Sequence, residues 1–263
     1  MVQEKEKYTV ITGASSGIGY ETAKAFAERG KNLVITARRK DRLEMLKQEI
    51  LGEHPDLDVV IRSTDLSVPE NVYQLYSSLK EYEIETWINN AGFGNYDSVA
   101  DQDLEKIGMM LNLNIEALTL LSSLYVRDYK DTEGTQLINI SSCGGYTIVP
   151  TAVTYCAAKF YVSTFTEGLA RELEETGAKM KAKVLAPAAT KTEFGMVANN
   201  VSEYDYDQSF GTYHTSRQVA GFLLELYDSE KTVGLVDRES FCFRLADPLF
   251  PYAGSSSHNQ KHM

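Results

Sequence analysis

Short apolar, β-branched runs alternate along this chain with stretches whose apolar residues recur at helical spacing. "YTVITGA" (8–14) reads as a strand ending in glycine, and "GYETAKAFAERG" (19–30) as a helix stopping at Gly30. "NLVITARR" (32–39) and "DRLEMLKQEILGE" (41–53) repeat the pair. So do "LDVVIRSTDLS" (57–67) and "PENVYQLYSSLKEY" (69–82), the second opening at Pro69, whose missing N–H costs nothing in a first helical turn. "IETWINNAG" (84–92) precedes a long helix over about 103–129, and "TQLINISS" (135–142) precedes a helix running to about Glu175. "AKMKAKVLAP" (178–187) is a strand ended by Pro187; a last helix covers about 215–228, and "TVGLVD" (232–237) holds a final short strand.

This succession predicts a parallel sheet with helices on both faces, joined by right-handed crossovers. No linker, repeat or low-complexity stretch interrupts it, so 1–263 reads as one domain. The exception is 188–213, which is polar, tyrosine-rich and weakly periodic. A segment that long between core elements is expected to be a substrate lid, with a disordered surface excursion as the alternative. Residues 251–263 form a polar C-terminal tail.

Composition narrows the function classes. A net charge of −11 repels phosphates and argues against nucleic acid and anionic membranes as partners. No apolar run approaches the roughly 20 residues that span a bilayer. The charged N-terminus leads directly into a strand without a signal-peptide core. Cys143, Cys156 and Cys242 are scattered, which points away from a disulfide framework and toward a reducing cytoplasm. The four histidines are dispersed, with His258 and His262 in the tail, and no metal site is expected.

Candidate chemistry sits at the strand ends. "TGASSGIG" (12–19) places Gly13, Gly17 and Gly19 on the first strand-to-helix turn, where backbone can approach a pyrophosphate and a helix N-terminus offers free N–H groups. At the end of the second strand, where NAD sites carry an acidic residue, stand Arg38 and Arg39. A guanidinium suits a 2′-phosphate, so NADP is favoured; solvated surface charge is the alternative, above all for Arg39. Asp65 ends the third strand and either meets the adenine edge or caps the next helix, a role open to Ser67 too.

"INNAGFG" puts Asn89, Asn90, Ala91 and Gly92 where the sheet's carboxyl edge faces a ligand, or in an Asn/Gly turn. Asn114 lies in an otherwise apolar helix and needs a reason for being there, with Asn112 competing for the role. Ser141 and Ser142 end the fifth strand, and Tyr155 and Lys159 follow, four apart on one helix face. An ammonium beside a phenol favours phenolate, which would lower the Tyr155 pKa and make it a usable general acid or base.

In order and spacing, "TGASSGIG", "NNAG", Asn114, Ser142 and "YCAAK" (155–159) resemble the short-chain dehydrogenase/reductase family, in particular bacterial NADP-preferring members, over residues 8 to about 194. The resemblance implies a Rossmann-type doubly wound sheet of about seven parallel strands. It implies reversible carbonyl–alcohol interconversion on a small molecule, with NADP(H) favoured over NAD(H). Tyr155 would exchange the proton, Ser142 would hydrogen-bond the substrate oxygen, and Lys159 would hold the nicotinamide ribose. Asn114 would anchor a water leading from Lys159 to solvent. Cofactor contacts would include Gly13, Ser15, Ser16, Gly17, Ile18, Gly19, Arg38, Arg39, Asp65 and Leu66. Asn90, Ala91, Gly92, Tyr155, Lys159, Pro187, Thr190 and Thr192 would complete them.

A homodimer or homotetramer through helices 103–129 and 154–176 is a further implication. One departure is Ala188 in "PAATKTEF", where the family has glycine, so a slightly altered loop is expected. The lid aromatics Phe194, Tyr204, Tyr206, Phe210 and Tyr213, with Met196, suggest an uncharged, partly apolar carbonyl compound. Cys143 and Cys156 read as small buried fillers. The rival functions are an NAD-linked alcohol dehydrogenase and a non-catalytic NADP-binding regulator.

Overall fold

The computed structural model describes residues 6–254. The N-terminal part comprises β1 (Lys7–Thr12), α1 (Gly17–Ala27), β2 (Asn32–Ala37), α2 (Lys40–Glu53), β3 (Val59–Ser63) and α3 (Pro69–Ser77). Next come β4 (Glu83–Asn89), α4 (Leu104–Leu111), a π-helical turn (Asn112–Ala117), α5 (Leu118–Tyr129), β5 (Gln136–Ile140), α6 (Val153–Glu175) and β6 (Lys181–Ala186). β7 (Thr190–Lys191), α7 (Phe194–Asn199), α8 (Tyr206–Phe210), β8 (His214–Thr215), α9 (Ser216–Asp228), β9 (Val233–Val236) and β10 (Phe243–Ala246) follow.

One eight-stranded sheet has the order β10-β9-β6-β5-β4-β1-β2-β3. Seven strands are parallel, as the pattern predicts. The eighth, β10, pairs antiparallel with β9 at the edge and is an addition to the expected set. It is short and only half-buried, so its sequence lacks the apolar run that marks its neighbours.

Successive strand residues point to opposite faces, and each face has its own core. Leu33 and Ile35 pack with Phe26, Leu46 and Leu223, while Val34 packs with Val10, Trp87 and Tyr125. Helices cover both faces, which makes this a Rossmann-like α/β fold. The strand order reverses at β1, with β2 and β3 to one side and β4, β5 and β6 to the other. A crevice therefore opens beyond the carboxyl ends of β1 and β4.

The long helix starts with Asp103 as N-cap, which accepts hydrogen bonds from the N–H groups of Glu105 (2.9 Å) and Lys106 (3.2 Å). The 26 residues Leu104–Tyr129 are long and apolar enough to cross a membrane by length and composition alone, contrary to the estimate made from continuous apolar runs. Its buried residues Leu121 and Tyr125 belong to the core, while Leu104 and Met109 are exposed.

The 188–213 segment is built rather than irregular. It contains α7, α8 and a two-residue parallel pairing of β7 with β8. The Tyr206 ring anchors it, with ring centroids 4.9 Å from Tyr204, 5.8 Å from Phe210 and 5.6 Å from Tyr213. Helices of six and five residues are too short to print a period on the sequence. Ala188 is absent from the positive-φ positions, so alanine is accommodated there without backbone strain. Residues 255–263, including His258 and His262, lie outside the described residues.

Candidate active site

The turn after β1 is prepared for an anion. Gly17 has φ +58°, a conformation that favours glycine. Ser16 does not cap α1 with its side chain, and no acidic residue occupies the first turn. The first N–H groups of α1 thus lack a side-chain cap from Ser16 and an acidic residue in their own turn, which fits a dinucleotide pyrophosphate.

Gly19 serves packing instead: a Cβ there would lie 2.4 Å from both the Asn90 Nδ2 and the Gly13 carbonyl oxygen. Asn90 Nδ2 donates to the Thr12 carbonyl (2.9 Å), and Thr12 Oγ1 accepts from the N–H groups of Asn90 (3.0 Å) and Ala91 (2.9 Å). These bonds lace the ends of β1 and β4 together. Thr12 reads only as a strand residue in sequence, because its partners are far along the chain.

Asn89 does not face ligand. It is buried, accepts from Trp87 Nε1 (2.9 Å), and donates to Ser122 Oγ (3.0 Å) and Asn139 Oδ1 (2.9 Å). A strand alternates its side chains, so Asn89 and Asn90 must point different ways.

At the end of β2 the two arginines differ. Arg38 is exposed, with Nη1 3.9 Å from Asp65 Oδ2. Arg39 is partly exposed but paired: its Nη2 lies 3.2 Å from Ser15 Oγ and 2.7 Å from Glu193 Oε2. Asp65 holds its own turn, accepting from the N–H (3.0 Å) and Oγ (2.7 Å) of Ser67. Neither Asp65 nor Ser67 is the N-cap of α3; Val68 holds that position without a side-chain bond. Glu193 was not singled out from the sequence, since nothing local in "TKTEF" signals a partner more than 150 residues away.

The two serines after β5 also separate. Ser141 is buried, donates to the Lys159 carbonyl (2.9 Å) and pairs with Ser163 Oγ (2.7 Å). Ser142 Oγ accepts from the N–H of Gly144 (3.0 Å) at a 3₁₀ turn, Cys143–Gly145. Tyr155 and Lys159, on the first turns of α6, are both buried. Lys159 Nζ donates to the Ile140 carbonyl (2.8 Å) and lies 5.9 Å from the centre of the Tyr155 ring.

Burial reverses the expected electrostatics. It pushes the Tyr155 phenol well above its ordinary pKa, with the Ser142 hydroxyl opposing the shift. It lowers Lys159 to about 8. The sequence reading expects Lys159 to pull the phenol down, but desolvation of both groups is the larger effect.

Asn114 lies within the π turn, a geometry that recurs at functional sites. Its Nδ2 donates to the Phe93 carbonyl (2.8 Å) and its Oδ1 accepts from the Phe93 N–H (3.2 Å). Its side chain therefore holds the 90–93 loop. Asn112 instead donates to the Ser67 carbonyl (3.4 Å).

One cavity of about 650 Å³ collects nearly all the sequence-selected residues, from Gly13 and Arg38 at one end to Ser142, Tyr155 and Lys159 at the other. Gly19 and Asn114 support its wall from behind. Phe93, Tyr96, Phe194, Tyr206 and Phe210 line it as well, and the Phe194 ring centre is 5.4 Å from that of Tyr155. Of the acidic residues in 188–213, Asp205 caps α8 and Asp207 accepts from the Tyr213 hydroxyl (2.8 Å), whereas Glu193 lines the cavity. Cys143 and Cys156 line the same cavity, and burial raises the Cys143 thiol, which keeps it protonated.

Comparison with known proteins agrees with this architecture. An uncharacterized oxidoreductase of Staphylococcus saprophyticus is 32% identical over 206 residues, covering 78% of this chain and 81% of that protein. A short-chain dehydrogenase from Sphingobium yanoikuyae, solved in complex with NADPH, superposes with a TM-score of 0.78 at 30% identity, covering 86% of each chain. The bulky-bulky ketone specific alcohol dehydrogenase from Comamonas testosteroni gives 0.74 at 25% identity, covering 96% of this chain and 89% of that one. Residues 7–203 match the short chain dehydrogenase family, and the chain belongs to that family of oxidoreductases.

Proposed function

We propose that this oxidoreductase reduces an uncharged, largely apolar carbonyl compound to its alcohol with NADP(H). The observation that carries the reading is the convergence of Ser142, Tyr155 and Lys159 with the uncapped turn of α1 in one cavity. A bound nicotinamide would supply the hydride. The first turn of α1, Asn90–Gly92 and Thr192 would hold the dinucleotide, with Asp65 and Leu66 near its adenine end.

Tyr155, kept protonated by burial, suits the role of proton donor to the carbonyl oxygen. The Ser142 hydroxyl would bind that oxygen as charge develops on it. Lys159, about 90% protonated at pH 7 for a pKa near 8, would stabilise the phenolate left behind.

The aromatic wall supports an uncharged, largely apolar substrate. The solved neighbour named for bulky-bulky ketones points the same way. Residues 188–213 act as the lid in this reading, and the family's habit suggests a dimer or tetramer, which light scattering checks directly.

Calorimetric titration with NADPH and with NADH tests the cofactor. Tighter NADPH binding supports the reading, whereas equal or tighter NADH binding favours an NAD-linked dehydrogenase.

A further inference from the structure

Each arginine at the end of β2 faces a carboxylate from another part of the chain, but the two pairs are not alike. Arg38 and Asp65 stand 3.9 Å apart, and the Arg38 side chain is 70% exposed, free to meet a ligand. Arg39 is engaged: Nη2 lies 2.7 Å from Glu193 Oε2, while Nε and Nη2 both approach Ser15 Oγ. Glu193 is ionised, held below its ordinary range first by the Arg39 hydrogen bond. The pair thus spans the cavity mouth from the end of β2 to the start of α7.

We propose that Glu193 sets the discrimination between 2′-phosphorylated and 2′-hydroxyl dinucleotides, by occupying the guanidinium that a 2′-phosphate would otherwise use. This rests on the NADP(H) reading above. Both side chains of the pair are about 40% exposed, so the bond is a weak one that a stronger anion can displace. A 2′-phosphate carries more charge than a carboxylate and matches the planar donor fork of arginine. Once it takes Arg39, the Glu193 carboxylate is left beside a like charge and opposes the complex. A 2′-hydroxyl is uncharged and meets no such opposition. Glu193 therefore taxes NADPH and leaves NADH unaffected, holding the ratio between them below what two free arginines would give.

The test is calorimetry of wild type, Glu193→Gln, Arg39→Gln and the double variant with NADPH, NADH, 2′,5′-ADP and 5′-AMP. Glu193→Gln is expected to bind NADPH and 2′,5′-ADP roughly fivefold tighter, with NADH and 5′-AMP within about twofold of wild type. In the Arg39→Gln background the same change should do little, and raising the salt should shrink the gain. Equal shifts for phosphorylated and unphosphorylated probes, or no shift, overturn the selector role while leaving the NADP(H) reading intact. A wild type and a Glu193→Gln variant that both bind 2′,5′-ADP no tighter than 5′-AMP overturn that reading and the selector with it.

Discussion

Replacing Lys159 by methionine removes a charge from surroundings that disfavour it. Lys159 is 6% exposed, and burial lowers its pKa from 10.5 to about 8. Between those two values the unfolded chain binds more protons than the folded one, so stability rises with pH. Integrated from pH 7 to pH 9.5, this single group adds about 2 kcal/mol to the wild type. At pH 7 the buried charge costs about 3 kcal/mol. Methionine removes that cost but strands the Ile140 carbonyl, which now accepts from Nζ at 2.8 Å. An unpaired buried carbonyl costs roughly 1 kcal/mol. Lys159→Met should therefore be about 2 kcal/mol more stable than wild type at pH 7, and of similar stability near pH 9.5. Urea unfolding at the two pH values measures this. Lys183, also lowered to about 8, contributes equally to both proteins and cancels in the difference. A variant less stable than wild type at pH 7, or a margin that does not shrink as pH rises, refutes the desolvation argument.

Three further outcomes are expected. Ser142→Ala should lower turnover roughly 100-fold while leaving dinucleotide affinity unchanged, because the hydroxyl acts on the substrate oxygen; steady-state rates beside calorimetry separate the two. Gly19→Ala should destabilise the fold by about 2 kcal/mol and weaken dinucleotide binding, since its Cβ meets the Gly13 backbone as well as the Asn90 side chain that ties β4 to β1; unfolding and titration report both. Asn89→Ala strands Trp87 Nε1, Ser122 Oγ and Asn139 Oδ1, and should cost about 3 kcal/mol with no change in relative affinity for NADPH and NADH.

Much of this molecule is legible from sequence because its signals are local. The glycine turn, the serines ending β5 and the Tyr155–Lys159 spacing are each confined to one element, and the strand ends bring them to one edge. What escaped is long-range or depends on burial. Glu193 is invisible as a partner until α7 is brought against β2. Asn89 and Asn90 are adjacent in sequence, but the pleat sends one to the core and the other to the loop. The π turn around Asn114 looks like ordinary helix in a pattern that tolerates one extra residue. The Tyr155 shift was reversed because spacing reveals a neighbouring charge but not the loss of water around both groups.

The most direct test of the account follows NADPH consumption with a panel of uncharged aliphatic and aromatic ketones, using wild type and Tyr155→Phe. The phenol is the proposed proton donor and is not required to hold the dinucleotide. Wild type should turn over at least one such ketone, and Tyr155→Phe should lose turnover while calorimetry shows NADPH bound nearly as tightly. Turnover retained by Tyr155→Phe would contradict the central claim.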